Sequence, residues 1–142
     1  MTKKGDMLYA WTTDAEIQKK AELGGAVTAL WKYALESKAV DAVLAVTKGV
    51  DLYDAKPVII TDAKDLVKTA GSLHCGTLLM PKLIKKYLGG SKHTKIGVTV
   101  KGCDAMAFYE LAKRKQLDLD RIIMIGVNCG GSVSPEIGRA HV

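Results

Sequence analysis

KIGVTVKGCDAMAFYELAKRK, Lys95 to Lys115, is the stretch on which the reading of the fold turns. Ile96 to Val100 is a short apolar run of the kind that a sheet buries on both faces. From Asp104 to Arg114 apolar residues recur at helical spacing, so the stretch predicts a strand handing over to a helix at Lys101-Gly102-Cys103-Asp104. Strands joined by helices lie parallel, because a parallel neighbour is reached only by a crossover of roughly a dozen residues or more.

The same alternation extends outward. Arg121 to Val127 (RIIMIGV) reads as a strand. Upstream, Ala26 to Ser37 reads as a helix, Ala42 to Thr47 as a buried strand, and Val58 to Thr61 as another strand, introduced by Pro57. Asp62 suits the cap of a following helix, with Asp65 three residues on as an approximate capping box. A further helix lies within Gly76 to Leu88, beginning at Pro81 or kinked there and ended by Gly89-Gly90. The expectation is an α/β fold, a mostly parallel sheet flanked by helices with right-handed crossovers. The strands on either side of Lys48 to Lys56 are joined too briefly for a helix, which leaves antiparallel pairing open to them. Ser91 to Lys95 (SKHTK) is the expected seam between an N-terminal domain, 1–90, and the start of a C-terminal one, 91–135.

The end of the chain breaks the pattern. EIGRAHV, Glu136 to Val142, has no periodicity, and read back into codons it matches the start of a common short-read sequencing adapter. The expectation is that residues 136–142 are a library artefact, that the parent gene continues, and that the sheet is truncated at its C-terminal side.

Composition bounds the function. With 142 residues, 48% hydrophobic and 25% charged, the chain has the make-up of one ordinary globular domain. No apolar run approaches the roughly 20 residues that span a bilayer, so no membrane role is expected and the chain reads as cytoplasmic. Three cysteines, Cys75, Cys103 and Cys129, are too few and too uneven for a disulfide framework. The net charge of +6 is carried by scattered lysines. Solvated helix faces explain it, with an acidic cofactor or partner as the competing reading; the aromatic interleaving of a single-strand nucleic-acid binder is absent.

In an open parallel sheet, ligands bind beyond the carboxyl ends of the strands. Cys103 follows one strand there and Cys129, in GVNCGGS, follows the next. Each has a plain reading as a small buried residue. A catalytic thiolate at Cys103 would be favoured by the helix N-terminus and Lys101 and opposed by Asp104, but no histidine is identifiable as its base: His74 adjoins Cys75, His93 lies in a polar loop and His141 in the tail. No C-x-x-C supports zinc, and iron–sulfur ligation needs two thiolates more, from Cys75 or beyond. Gly24-Gly25 heads a helix, and Thr69 to Gly76 (TAGSLHCG) makes a second glycine and serine turn. Helix caps explain either alone. Together with Lys101-Gly102, and with Lys48 at a strand end, they suit a nucleotide-sized anionic ligand.

GGAVTALWKYALESKAVDAVLAV, KPVIITD, TAGSLHCGTLLMPKLIK, VTVKGCDAMAFYELAKR and IGVNCGG, in this order, resemble the coenzyme F420 hydrogenase/dehydrogenase beta subunit family over roughly Leu8 to Pro135. KGCDA and NCGG are most similar to its formate dehydrogenase branch, found in methanogens. The resemblance implies a flavoprotein holding FAD and a [4Fe–4S] cluster and exchanging electrons with coenzyme F420. It implies as partners a molybdopterin-containing formate dehydrogenase alpha subunit and a heterodisulfide reductase-type complex. It assigns Gly24, Gly25, Thr28 and the Ala70-Gly71-Ser72 turn to FAD, Lys101 and Gly102 to cofactor binding, and Cys103 and Cys129 to the cluster. The chain departs from the family in lacking the downstream C-x-x-C that completes the cluster, and in having Lys-Gly-Cys-Asp where Gly-Thr-Pro-Cys is commoner. Three other readings stand beside this one: the beta subunit of an F420-reducing hydrogenase, a non-catalytic interaction module, and a hydrolase or transferase using Cys103.

Overall fold

A computed structural model of the chain describes residues 2–51, 53–73 and 78–140. Four strands, β1 (Ala42–Lys48), β2 (Ala55–Ile60), β3 (Ile96–Val100) and β4 (Ile122–Gly126), form one sheet in the order β2-β1-β3-β4. β3 lies parallel to both β1 and β4, while β2 pairs antiparallel with β1, Leu44 opposite Ile59. The mostly parallel α/β architecture is therefore the one expected, and the short 49–54 connection makes a hairpin because it has no room for a crossover helix. Five α-helices are described: α1 (Ala15–Lys20), α2 (Ala26–Glu36), α3 (Met80–Tyr87), α4 (Gly102–Lys113) and α5 (Pro135–Ala140).

Several local expectations are corrected. β2 begins at Ala55, so Pro57 lies inside the strand and not ahead of it. An edge strand tolerates this, since the missing N–H faces outward. Asp62 does cap the next element, its Oδ1 accepting from Lys64 N–H at 2.9 Å, but the element is a 3-10 helix, Ala63–Thr69. Asp65 does not reach back to complete a box; its carboxylate accepts from Lys68 Nζ at 2.6 Å. α3 starts at Met80 with Pro81 in its first turn, where proline leaves no helical hydrogen bond unmade; Gly76 and Thr77 lie outside the described residues. α1 had no expectation attached to it. Its six residues bury one side chain, Ile17, too short a run to show a period.

Helices pack on both faces of the sheet. Leu44, Val98, Val100 and Ile122 face Met80 and Ile84 of α3 and Phe108 of α4, all buried. Val43 turns the other way, toward Trp31 and Leu35 of α2 and Leu66 of the 3-10 helix. The alternation along β1 and β3 is the period-two geometry of a strand. The six-membered ring of Trp31 packs against Gly97, where an added Cβ would lie 2.5 Å from its nearest carbon. Its Nε1 donates to Thr99 Oγ1 at 2.9 Å, so the one polar atom of that buried ring is satisfied.

Residues 91–95 are pinned at several points. Ser91 is fully buried, its hydroxyl donating to the Thr94 carbonyl at 2.5 Å with the Arg121 carbonyl 3.4 Å away, and Lys95 N–H donates to Asp41 Oδ2 at 2.8 Å. α5 is tied to the hairpin by Arg139, whose Nε donates to Asp51 Oδ2 at 2.8 Å. That guanidinium holds the Asp51 carboxyl below its usual range.

Candidate functional site

Short connections decide what meets at the carboxyl end of the sheet. Residues 37–41 turn α2 straight into β1, so α2 runs against β1 and brings its N-terminus to that end. α3 likewise runs against β3, and α4 starts where β3 stops. Three helix N-termini, each the positive end of a helix dipole, therefore gather at the carboxyl end of the sheet; in α3 the N–H groups of the first turn are already taken, Met80 by Asp104 and Lys82 and Leu83 by the Leu79 carbonyl.

Asp104 joins two of them. It is 1% exposed, its Oδ1 accepts from Met80 N–H at 3.3 Å, and its Oδ2 accepts from Lys101 N–H at 3.2 Å. The Lys101 ammonium lies 3.4 Å from the same Oδ2. The acid in the strand-to-helix joint thus clamps the start of α3 to the start of α4. Sequence reasoning weighed it only against the Cys103 thiol and missed this role. Its signal was the spacing, since an acid three residues into a helix is where a carboxylate reaches back to the cap.

Behind the clamp lies a cleft of about 120 Å³, lined by Val46, Ala55, Gly71, Leu73, Leu78, Met80 and Lys101. Two of the turns singled out from the sequence, Ala70-Gly71-Ser72 and Lys101-Gly102, are brought together here. Gly71 has φ +109°, and a Cβ there would sit 3.3 Å from the Lys20 carbonyl at the end of α1. Only glycine takes that conformation freely. Ala70 is half-buried, Ser72 and Gly102 are exposed, and a Cβ at Gly102 would meet nothing, so the chain's own packing does not require glycine at 102.

Gly24 and Gly25 do not line this cleft. Both have left-handed φ, and the chain itself demands glycine: a Cβ at Gly25 would lie 2.7 Å from Ile17 Cγ2 and 3.1 Å from Ala21 Cβ. Ala21 adjoins this turn and Lys20 adjoins Gly71, so the end of α1 stands between the two. α2 has no side-chain cap, and half-buried Thr28 lies in its first turn. Asp14 caps α1 through Glu16 and Ile17 N–H groups and hydrogen-bonds Lys32 of α2, which holds its carboxyl below the usual range. Lys48 and His93 are exposed and away from the cleft lining.

Cys103 and Cys129 are exposed free thiols. In the β3–β4 register Val100 is opposite Gly126, so each cysteine stands three residues beyond the same rung of the ladder. Cys129 Sγ lies 3.6 Å from the Gly131 carbonyl. Among the described residues no group of three or more His, Cys, Asp or Glu stands where it could hold a metal ion; His74, Cys75 and His141 lie outside them.

The family model for the N-terminal part of the coenzyme F420 hydrogenase/dehydrogenase beta subunit matches residues 7–85, and that for its C-terminal part matches 93–142. The chain belongs to this family. It is 52% identical over 131 residues to F420-dependent formate dehydrogenase 1 subunit beta of Methanococcus maripaludis, covering 92% of this chain and 33% of that one. It is 55% identical over 123 residues to the formate dehydrogenase subunit beta of Methanocaldococcus jannaschii, covering 87% and 32%. Identity to coenzyme F420 hydrogenase subunit beta of Methanothermobacter thermautotrophicus is 26% over 132 residues. The fold superposes with a TM-score of 0.71 and 27% identity on a chain of the xenon-derivatised F420-reducing [NiFe] hydrogenase complex from Methanosarcina barkeri, covering 92% of this chain and 46% of that one. This beta-subunit chain thus spans about a third of the length of the formate dehydrogenase relatives it matches. None of its described helices is long and apolar enough to cross a membrane.

Proposed function

We propose that the chain is part of a flavin-containing electron-transfer subunit that passes electrons between iron–sulfur clusters, FAD and coenzyme F420 in a formate dehydrogenase complex. The observation that carries this reading is the contrast in identity, 52% and 55% to the formate dehydrogenase subunits against 26% to 31% to the hydrogenase ones. It is supported by the meeting of the Ala70-Gly71-Ser72 and Lys101-Gly102 turns at one cleft.

The residues there fit part of a dinucleotide. About 120 Å³ is smaller than the roughly 300 Å³ or more of a whole ligand pocket, so the cleft would hold one portion of the cofactor, with the exposed Ser72 and the α2 N-terminus as the groups that would meet the remainder. Lys101 opposes phosphate charge, and the helix N-termini add to the positive potential. Asp104 keeps the Lys101 turn in register with Met80. Val46, Leu73, Leu78 and Met80 exclude water. When bound, the flavin supplies the exchange between single electrons and electron pairs. Cys103 and Cys129 offer two thiolates where a [4Fe–4S] cluster takes four, so the described residues by themselves do not fit a cluster; we propose them as half of a ligand set. The alpha subunit and a heterodisulfide reductase-type complex are the proposed partners.

The test is anaerobic purification of the parent gene extended past Pro135, with absorbance spectra taken with and without FAD and F420. A flavin spectrum bleached by reduced F420 is expected. A folded, colourless protein indifferent to both would favour the interaction module instead. In that protein Lys101→Ala is expected to weaken FAD binding about tenfold, the loss of one charge-assisted contact, and to lower the thermal midpoint, because the buried Asp104 carboxylate loses its ammonium partner.

A further inference from the structure

Between Leu66 and Cys103 the chain has seven lysines and no carboxylate, one more positive charge than the +6 of the whole chain. Lys68 and Lys101 are paired, with Asp65 and Asp104. Lys82, Lys85, Lys86, Lys92 and Lys95 make no ion pair among the described residues. Three of these stand on α3, which has no acid of its own.

The same helix borders an apolar groove. α3 turns Met80 and Ile84 to the core, sets Leu83 and Tyr87 along the flank toward β2, and leaves Lys82, Lys85 and Lys86 outward. On this face α3 and α4 pack over β1, β3 and β4, and no described helix lies over β2. The space left measures about 380 Å³ and is lined by Leu44, Pro57, Ile59, Leu83, Tyr87 and Leu88. Ile59 is 47% exposed and Tyr87 63%, and the Lys86 ammonium stands 5.0 Å from the centre of the Tyr87 ring.

We propose that this groove docks an acidic amphipathic helix of a partner protein, its apolar stripe filling the groove and its carboxylates meeting Lys82, Lys85 and Lys86. The apolar lining selects an apolar stripe. Unpaired charge of one sign beside it selects the opposite sign and repels a second copy of the same face. The groove walls are side chains of α3 and β2, and Pro57 deprives the β2 edge of a main-chain donor, so a helix seats there in preference to an added strand. The inference is independent of the redox reading, because no residue of the cleft takes part.

The test uses the purified chain and a fluorescein-labelled synthetic helix of about four turns, with leucines at i, i+3, i+4 and i+7 and glutamates on the flanks. Fluorescence anisotropy is expected to show saturable binding that weakens about tenfold in Lys82→Glu/Lys85→Glu/Lys86→Glu, and similarly in Ile59→Ser/Tyr87→Ala. A peptide with lysines in place of the glutamates is expected to bind only the charge-reversed variant. The altered side chains are exposed, and circular dichroism checks that the fold is kept; comparison of the acidic, lysine and scrambled peptides on the unaltered chain needs no variant. Equal binding of the scrambled peptide, no binding of the acidic one, or capture of single-stranded DNA or phosphatidylserine vesicles through Ile59 and Tyr87 in its stead would overturn the proposal.

Discussion

A carboxylate as buried as Asp104 survives in a core only because each oxygen has a donor, Met80 N–H on one and Lys101 on the other. Asp104→Ala is expected to leave the Met80 N–H unsatisfied and cost about 2 kcal/mol, read as a drop of the thermal midpoint by several degrees. A midpoint equal to that of the unaltered chain would remove the clamp from the account of the site. Asp14 and Lys32 give a second test, through pH. Lys32 holds the Asp14 carboxyl below its usual range, so the stability it contributes is present at neutral pH and is lost as pH falls below the ordinary carboxylate range toward the lowered one. Asp14 in turn raises Lys32, a contribution present up to the ordinary lysine range and lost as pH climbs beyond it. In Asp14→Asn both limbs of the plot of thermal midpoint against pH are expected to flatten. Cys103 and Cys129 were readable as strand-end residues, since each follows an apolar run. Their common rung was not, because register belongs to the pairing of two strands and not to either alone.

At the scale of elements, the packing of α2 on β3 rests on one exchange of volume, the Trp31 ring for the absent side chain of Gly97. Gly97→Ala is expected to destabilise by about 1–3 kcal/mol, because the ring is hydrogen-bonded to Thr99 and has no free direction in which to move. Denaturant unfolding with a shift in tryptophan emission would measure it. The long apolar elements, β1, β3, β4, α2 and α4, were legible from period and composition. The 3-10 helix at Ala63–Thr69 and the six-residue α1 were not, since neither is long enough for a period and both are held by what they touch: Leu66 by the α2 layer, Ile17 by Gly25. The Gly24-Gly25 turn shows the limit of motif reading. Glycine pairs at a helix start suit a phosphate, yet here the neighbouring Ile17 and Ala21 already account for Gly25.

For the whole molecule, residues 136–142 are the sharpest question. α5 touches the hairpin through Arg139 and Asp51, an exposed pair of the kind that adds little to stability. A chain ending at Pro135 is expected to keep its thermal midpoint within about 3 °C, the scale of an ordinary surface change. A larger fall would make the tail part of the fold and speak against the adapter reading. The sequence by itself determined the α/β class, the carboxyl-end placement of the Lys101 and Cys103 turn, and the family, because burial period and local turn chemistry are properties of short stretches and survive without any partner. The tertiary structure alone decided that Asp104 binds two helices together, that Gly71 shares a cleft with Lys101, and that the lysines of α3, without an ion pair among the described residues, stand beside a groove over which no described helix lies. Each of these depends on residues far apart in the chain meeting in space, and no local pattern records which distant surface a side chain will face.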